Sequence, residues 1–109
     1  MKYDIRNIAT AIEYAVEAAQ TFAEHDDGGS CNMDSAFIQA EGMSDAEAKE
    51  IGKISGVRVY LLDSEMYGRI LMLGGITNGQ GFRRTKMAEV AQQILAEKGL
   101  DSGVWYQMD

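Results

Sequence analysis

Proline is absent from this chain of 109 residues, and cysteine and histidine occur once each. A single cysteine, Cys31, cannot close an internal disulfide, which fits a reducing cytosol. No apolar run approaches the roughly 18–20 residues that cross a bilayer. The opening residues Met1-Lys2-Tyr3-Asp4 lead straight into a helical pattern, so no signal peptide is expected. The chain also has no Cys-x-x-Cys or His-x-x-x-His pair of the kind that holds a metal. It has neither a Walker Gly-Lys-Ser/Thr ending nor a Gly-x-Gly-x-x-Gly spacing. These absences lead to the expectation of a cytoplasmic protein with no membrane segment, no cofactor and no metal. The missing proline carries no functional conclusion.

What the chain does have is the composition of a folded domain. Hydrophobic residues make up 46% and charged residues 25%, enough to exclude disorder. The length fits one domain over residues 1–109 with one modest core. The net charge of −7 is unevenly placed. Residues 1–56 hold four cations against eleven acids, while residues 57–109 hold six of each sign. Such a field repels phosphate and disfavours direct binding to a nucleic-acid backbone. An acidic surface either keeps the protein soluble or meets a basic partner.

Periodicity predicts seven elements. Ile5, Ile8, Ile12, Val16 and Ala19 recur every three or four residues, predicting a helix from Ile5 to about Glu24, capped by Asp4. Residues 33–41 read as a strand around Phe37 and Ile38. Ser44 and Glu47 form the two ends of a capping box that opens a short helix burying Ala48, Ile51 and Ile54. Val57–Asp63 and Arg69–Gly74 read as a hairpin pair of strands. A helix from Arg83 to Lys98, stopped by Gly99, and a strand from Val104 to Met108 complete the chain. The predicted core comprises Ile8, Ile12, Val16, Val59, Leu61, Leu71, Leu73, Val90, Ile94 and Leu95. After the first helix the order is β-α-β-β-α-β, which predicts an α+β, ferredoxin-like sandwich with a four-stranded antiparallel sheet and an extra N-terminal helix. That helix would either cover the sheet's other face or extend the helical layer.

Three segments are candidates for function. A glycine-rich stretch enters a helix with three cations in four residues. Asn78, Gly79, Gln80, Gly81, Arg83, Arg84 and Lys86 therefore form a candidate site for a phosphorylated metabolite or nucleotide. Glu13, Glu17, Glu24, Asp26 and Asp27 form a candidate surface for a basic protein partner. His25 and Cys31 could pair as a nucleophile, but no orienting third group or oxyanion hole accompanies them, so an enzymatic role ranks last. The aromatics Tyr60, Tyr67, Phe82, Trp105 and Tyr106 are read as sheet packing, with Trp105 covering a helix. Phe37 is the one aromatic on the strands that would stack bases in an RNA-recognition domain, so that reading is disfavoured. Seven methionines are read as gap-filling in a small core.

The run Gly79-Gln80-Gly81-Phe82-Arg83-Arg84-Thr85-Lys86-Met87-Ala88-Glu89, continued by Gly103-Val104-Trp105-Tyr106-Gln107-Met108-Asp109, resembles the ending of small uncharacterised bacteriophage and prophage proteins. The resemblance covers about a third of the chain and implies no catalytic residue. It implies a mobile-element origin, where small acidic domains often bind and block a host protein. An inhibitor of host defence, including an anti-CRISPR-type protein, is one instance. The expectation is thus a non-catalytic acidic binding protein, alone or as a homodimer. The small-ligand module at residues 79–86 is the alternative.

Overall fold

The computed structural model describes residues 3–23, 35–74 and 82–106, with the side chains of residue 23 and residues 82–85 excluded. The elements run α1 (Ile5–Ala23), β1 (Ser35–Gln39), α2 (Asp45–Ser55), β2 (Val59–Ser64), β3 (Gly68–Leu73), α3 (Phe82–Glu97) and β4 (Ser102–Trp105). Their class is α+β, with a four-stranded antiparallel sheet as the pattern predicts.

Local chemistry fixes the element ends. At α1 the Asp4 carboxylate accepts the Asn7 N–H at 3.1 Å. At α2 the capping box forms in full: the Ser44 hydroxyl accepts from the Glu47 N–H and the Glu47 carboxylate accepts from the Ser44 N–H. Gly56, at φ 73°, closes α2 in the left-handed region. After α3 the Leu100 N–H reaches back to the Leu95 carbonyl and the Gly99 N–H to that of Ala96, a Schellman closure that also needs the positive φ of Gly99. Between β2 and β3 the Ser64 hydroxyl accepts the N–H groups of Met66 and Tyr67, and Gly68 at φ 75° completes a three-residue hairpin loop.

The sheet order is β2-β3-β1-β4. One face carries Ala36, Ile38, Leu71, Leu73 and Val104, and all the helices of the described chain lie over it. The N-terminal helix is part of this layer. It packs against both α2 and α3, so the layer reads α2-α1-α3. Close packing is possible because the buried stripe of α1 is small: Ala9, Ala11, Ala15 and Ala19 beside Ile8 and Ile12. The Tyr3 hydroxyl donates to the Glu41 carbonyl and ties the start of α1 to the loop before α2. Burial, with Glu41 and Glu47 nearby, pushes that phenol's pKa up.

No helix of the described residues lies over the other sheet face. Phe37, Ile70 and Met72 are buried there, flanked by Leu62, Tyr67 and Trp105. Trp105 therefore lies away from the helices, not over one, because its cross-strand pairing with Ser35 sets it on the Phe37 side.

The predicted core is half right. Ile8, Ile12, Leu71, Leu73 and Leu95 are buried. Val16, Val59, Leu61, Val90 and Ile94 are only partly so. Val59 and Leu61 belong to an edge strand. Val90 and Ile94 flank the row Met87–Ala91–Leu95, which takes the centre of the α3 contact. Ile54, expected inside, is 38% exposed at the end of α2. Strand limits also move: β1 starts at Ser35 within the described residues, and β4 starts at Ser102, where pairing with Ile38 begins.

Candidate functional site

The outward face of α1 follows from its 3.6-residue period. With Ile8, Ile12, Ala15 and Ala19 turned to the core, Thr10, Glu13, Tyr14, Glu17 and Thr21 stand on the solvent side. Tyr14 is a large aromatic placed within that polar stripe, and it is 54% exposed. Thr10, Glu13, Tyr14 and Glu17 line a shallow depression of about 260 Å³. On its other side, Tyr14 and Glu17 form one wall of a groove of about 410 Å³ between α1 and the end of α3. Ile94, Glu97 and Lys98 make the opposite wall.

The electrostatics of this surface are specific. The Lys98 ammonium stands 4.4 Å from the centroid of the Tyr14 ring, in cation–π geometry. The exposed Glu17 and Glu97 line the same groove, and the exposed Glu13 lines the depression on the other side of the ring. An aromatic plate rimmed by acids is suited to receiving a lysine or arginine side chain. The ring attracts the cation through its quadrupole and the carboxylates add charge.

Of the acidic partner surface read from the sequence, Glu13 and Glu17 lie together here; Glu24, Asp26 and Asp27 lie outside the described residues, as do His25 and Cys31. Of the glycine-rich candidate, Asn78, Gly79, Gln80 and Gly81 also lie outside them. Arg83 and Arg84 stand in the first turn of α3. Lys86 is described: its ammonium pairs with Glu89 at 3.7 Å, one helical turn on. Among the described residues, no three of His, Cys, Asp and Glu come together in a way that could hold a metal. Among them, no helix is long and apolar enough to cross a membrane.

Tyr14 and Lys98 were not legible as functional partners, being 84 positions apart and joined only by the α1–α3 packing. The available signal was an aromatic within the polar stripe of α1. A second surface also escaped the sequence reading. On the sheet face turned away from the described helices, the rings of Phe37 and Tyr67 lie 4.7 Å apart between centroids, and those of Tyr67 and Trp105 lie 6.0 Å apart. Met66, Tyr67, Trp105 and Tyr106 border a cleft of about 260 Å³. Phe37 is 2% exposed beneath this layer, so the central-strand aromatic is not offered to a base.

Comparison with family models, with curated proteins and with solved structures gives no significant match.

Proposed function

We propose that this chain is a non-catalytic, acidic binding protein of phage or prophage origin that acts in the cytoplasm by contacting a partner macromolecule, a protein with a basic surface. The reading rests on one observation above the others: an exposed tyrosine, Tyr14, set among Glu13, Glu17 and Glu97 and already holding a cation, Lys98, against its ring. That is the anatomy of an interface hot spot, a rigid aromatic anchor inside a charged rim. Lys98 occupies the place that a partner's lysine or arginine takes on binding. The excess of acid in the first half of the chain steers a basic partner toward the same side. Inhibition of a host-defence protein is one form of this activity. The scaffold is read as a ferredoxin-like β-α-β-β-α-β sandwich whose layer of two helices is parted by the added N-terminal helix. Support comes from the element order and the antiparallel sheet order β2-β3-β1-β4.

A photo-reactive amino acid at position 14, in cells of the natural host, tests the proposal. The expected result is one dominant cross-linked protein, diminished by raising salt and by the pair Glu13→Gln and Glu17→Gln, and absent when the probe is moved to Ala46 on α2. Equal cross-linking from positions 14 and 46 would sink it.

A further inference from the structure

We propose that β2 is a self-pairing edge, and that two copies of the chain join β2 to β2 antiparallel about a two-fold axis at Leu61. This surface is separate from the outer face of α1, and the inference stands or falls independently of the proposed function.

The direction of the backbone groups comes first. Val59 opposes Leu73 in the β2–β3 ladder, so Arg58 opposes Gly74, and the Gly74 N–H donates to the Arg58 carbonyl at 2.8 Å. Arg58 and Gly74 are therefore a hydrogen-bonded pair. By the alternation of antiparallel ladders, Tyr60, Leu62 and Ser64 also turn their backbone groups toward β3. Val59, Leu61 and Asp63 turn theirs outward, and among the described residues β2 has no second neighbour in the sheet.

Natural sheets blunt such an edge with lysine, proline, a bulge or a short strand. β2 reads Val-Tyr-Leu-Leu-Asp-Ser over six residues and uses none of these. Its one charge, Asp63, is bound to Arg69 at 3.1 Å. The opposite edge, β4, is only four residues long. Burial along β2 is incomplete on both faces: Val59, Leu61 and Leu62 are half-buried and Tyr60 is exposed, whereas Ile70 to Leu73 of the adjacent β3 are all buried. Ile54, at the end of α2 behind this edge, is exposed too. Apolar surface therefore reaches the edge on both faces, beside an outward-turned row of backbone donors and acceptors.

A second copy fits this edge because the strand is self-complementary. A two-fold axis normal to the sheet keeps each side chain on its own face, so paired positions must share parity. Centring the axis on Leu61 brings Leu61 opposite the partner's Leu61, and Val59 opposite the partner's Asp63. These are the outward-turned positions, so each pair exchanges hydrogen bonds. Tyr60 then packs beside the partner's Leu62 on the other face, an aromatic–aliphatic pair. No like charges meet directly, and the two Asp63 side chains are held at opposite ends. β2 lies within residues 57–109, which carry six charges of each sign, so the acidic excess of residues 1–56 does not belong to the strand that comes together. The contact is isologous and closes on itself, as a stable dimer requires.

The test combines mass with register. Sedimentation equilibrium of the full chain should give twice the 12.0 kDa chain mass. In a Cys31→Ser background, Leu61→Cys should form an interchain disulfide under mild oxidation, because a hydrogen-bonded pair sets its Cα atoms about 5.5 Å apart, within disulfide reach. Gln93→Cys on α3 should cross-link at least about tenfold more slowly, having no raised effective concentration. Leu61→Pro removes an outward N–H without touching the β3 ladder and should give a monomer. If that variant does not fold, the cross-linking pair decides alone. A chain mass of 12.0 kDa at every concentration up to about the millimolar range, or a dimer in which Leu61→Cys cross-links no faster than Gln93→Cys, would overturn the proposal.

Discussion

At Gly103 the sheet leaves no room for a side chain. A Cβ there would stand 2.7 Å from Cζ of Phe37, its cross-strand partner. The Phe37 ring cannot swing away easily, because it is buried and the Tyr67 ring covers it. Gly103→Ala should therefore destabilise the fold by about 1–3 kcal/mol, the usual range for overpacking. Adding Phe37→Leu should restore part of the loss in a urea melt, and a single variant as stable as the parent would show that the ring yields. Arg69 presents the opposite case, a charged side chain whose ion pairs matter little. Its guanidinium reaches Asp63 at 3.1 Å and Asp45 at 3.6 Å, but both carboxylates are largely exposed, so each pair is worth little. Its Nε also donates to the Met43 carbonyl at 2.9 Å, holding the turn before α2 against β3. Arg69→Met should cost about 1 kcal/mol, mostly from that hydrogen bond. Asp63→Asn should cost under about 0.5 kcal/mol. Equal losses from the two variants would assign the stability to the ion pair instead.

Among the elements, α2 is the one whose ends were written most plainly in the sequence. Its capping box and its glycine stop occur where spacing predicted them, because both depend on contacts within four residues. Ser44→Ala should lower stability by about 1 kcal/mol, seen as a lower urea midpoint at unchanged slope. An unchanged midpoint would mean that tertiary packing alone holds α2. The hairpin of β2 and β3 was legible for the same local reason. The position of α1 was not. Its period announced an amphipathic helix, yet its insertion between α2 and α3 depends on how small Ala11, Ala15 and Ala19 are relative to the helices beside them, a long-range fit. Trp105 escaped for a related reason. Alternation sets neighbours on opposite faces, but only the pairing of Ser35 with Trp105 puts Trp105 on the face turned away from the described helices. The candidate site was legible by half: Glu13 and Glu17 follow from the polar stripe of α1, whereas Tyr14 gains its meaning from Lys98, which packing alone brings near.

For the whole molecule, the charge of −7 is large for 109 residues and raises a sharper question than whether cations bind at all. Any basic peptide is attracted to such a chain, and that attraction is screened within about 10 Å at 0.1 M salt. In the proposed function, one place, the Tyr14 ring and its acidic rim, does the recognising. Lys98 separates the two. Removing it uncovers the ring and adds one negative unit to the net charge, whereas removing Lys49 on α2 makes the same change in net charge away from the ring. The most direct measurement is an NMR titration of the chain, Lys98→Ala and Lys49→Ala with an arginine-rich peptide at 0.15 M salt. The expected result is saturable shifts centred on Glu13, Tyr14, Glu17 and Glu97, with affinity several-fold tighter for Lys98→Ala and little changed for Lys49→Ala, as a gain of about 0.5–1 kcal/mol from an uncovered aromatic face implies. Shifts spread evenly over the acidic residues, with both variants tightening alike, would contradict it.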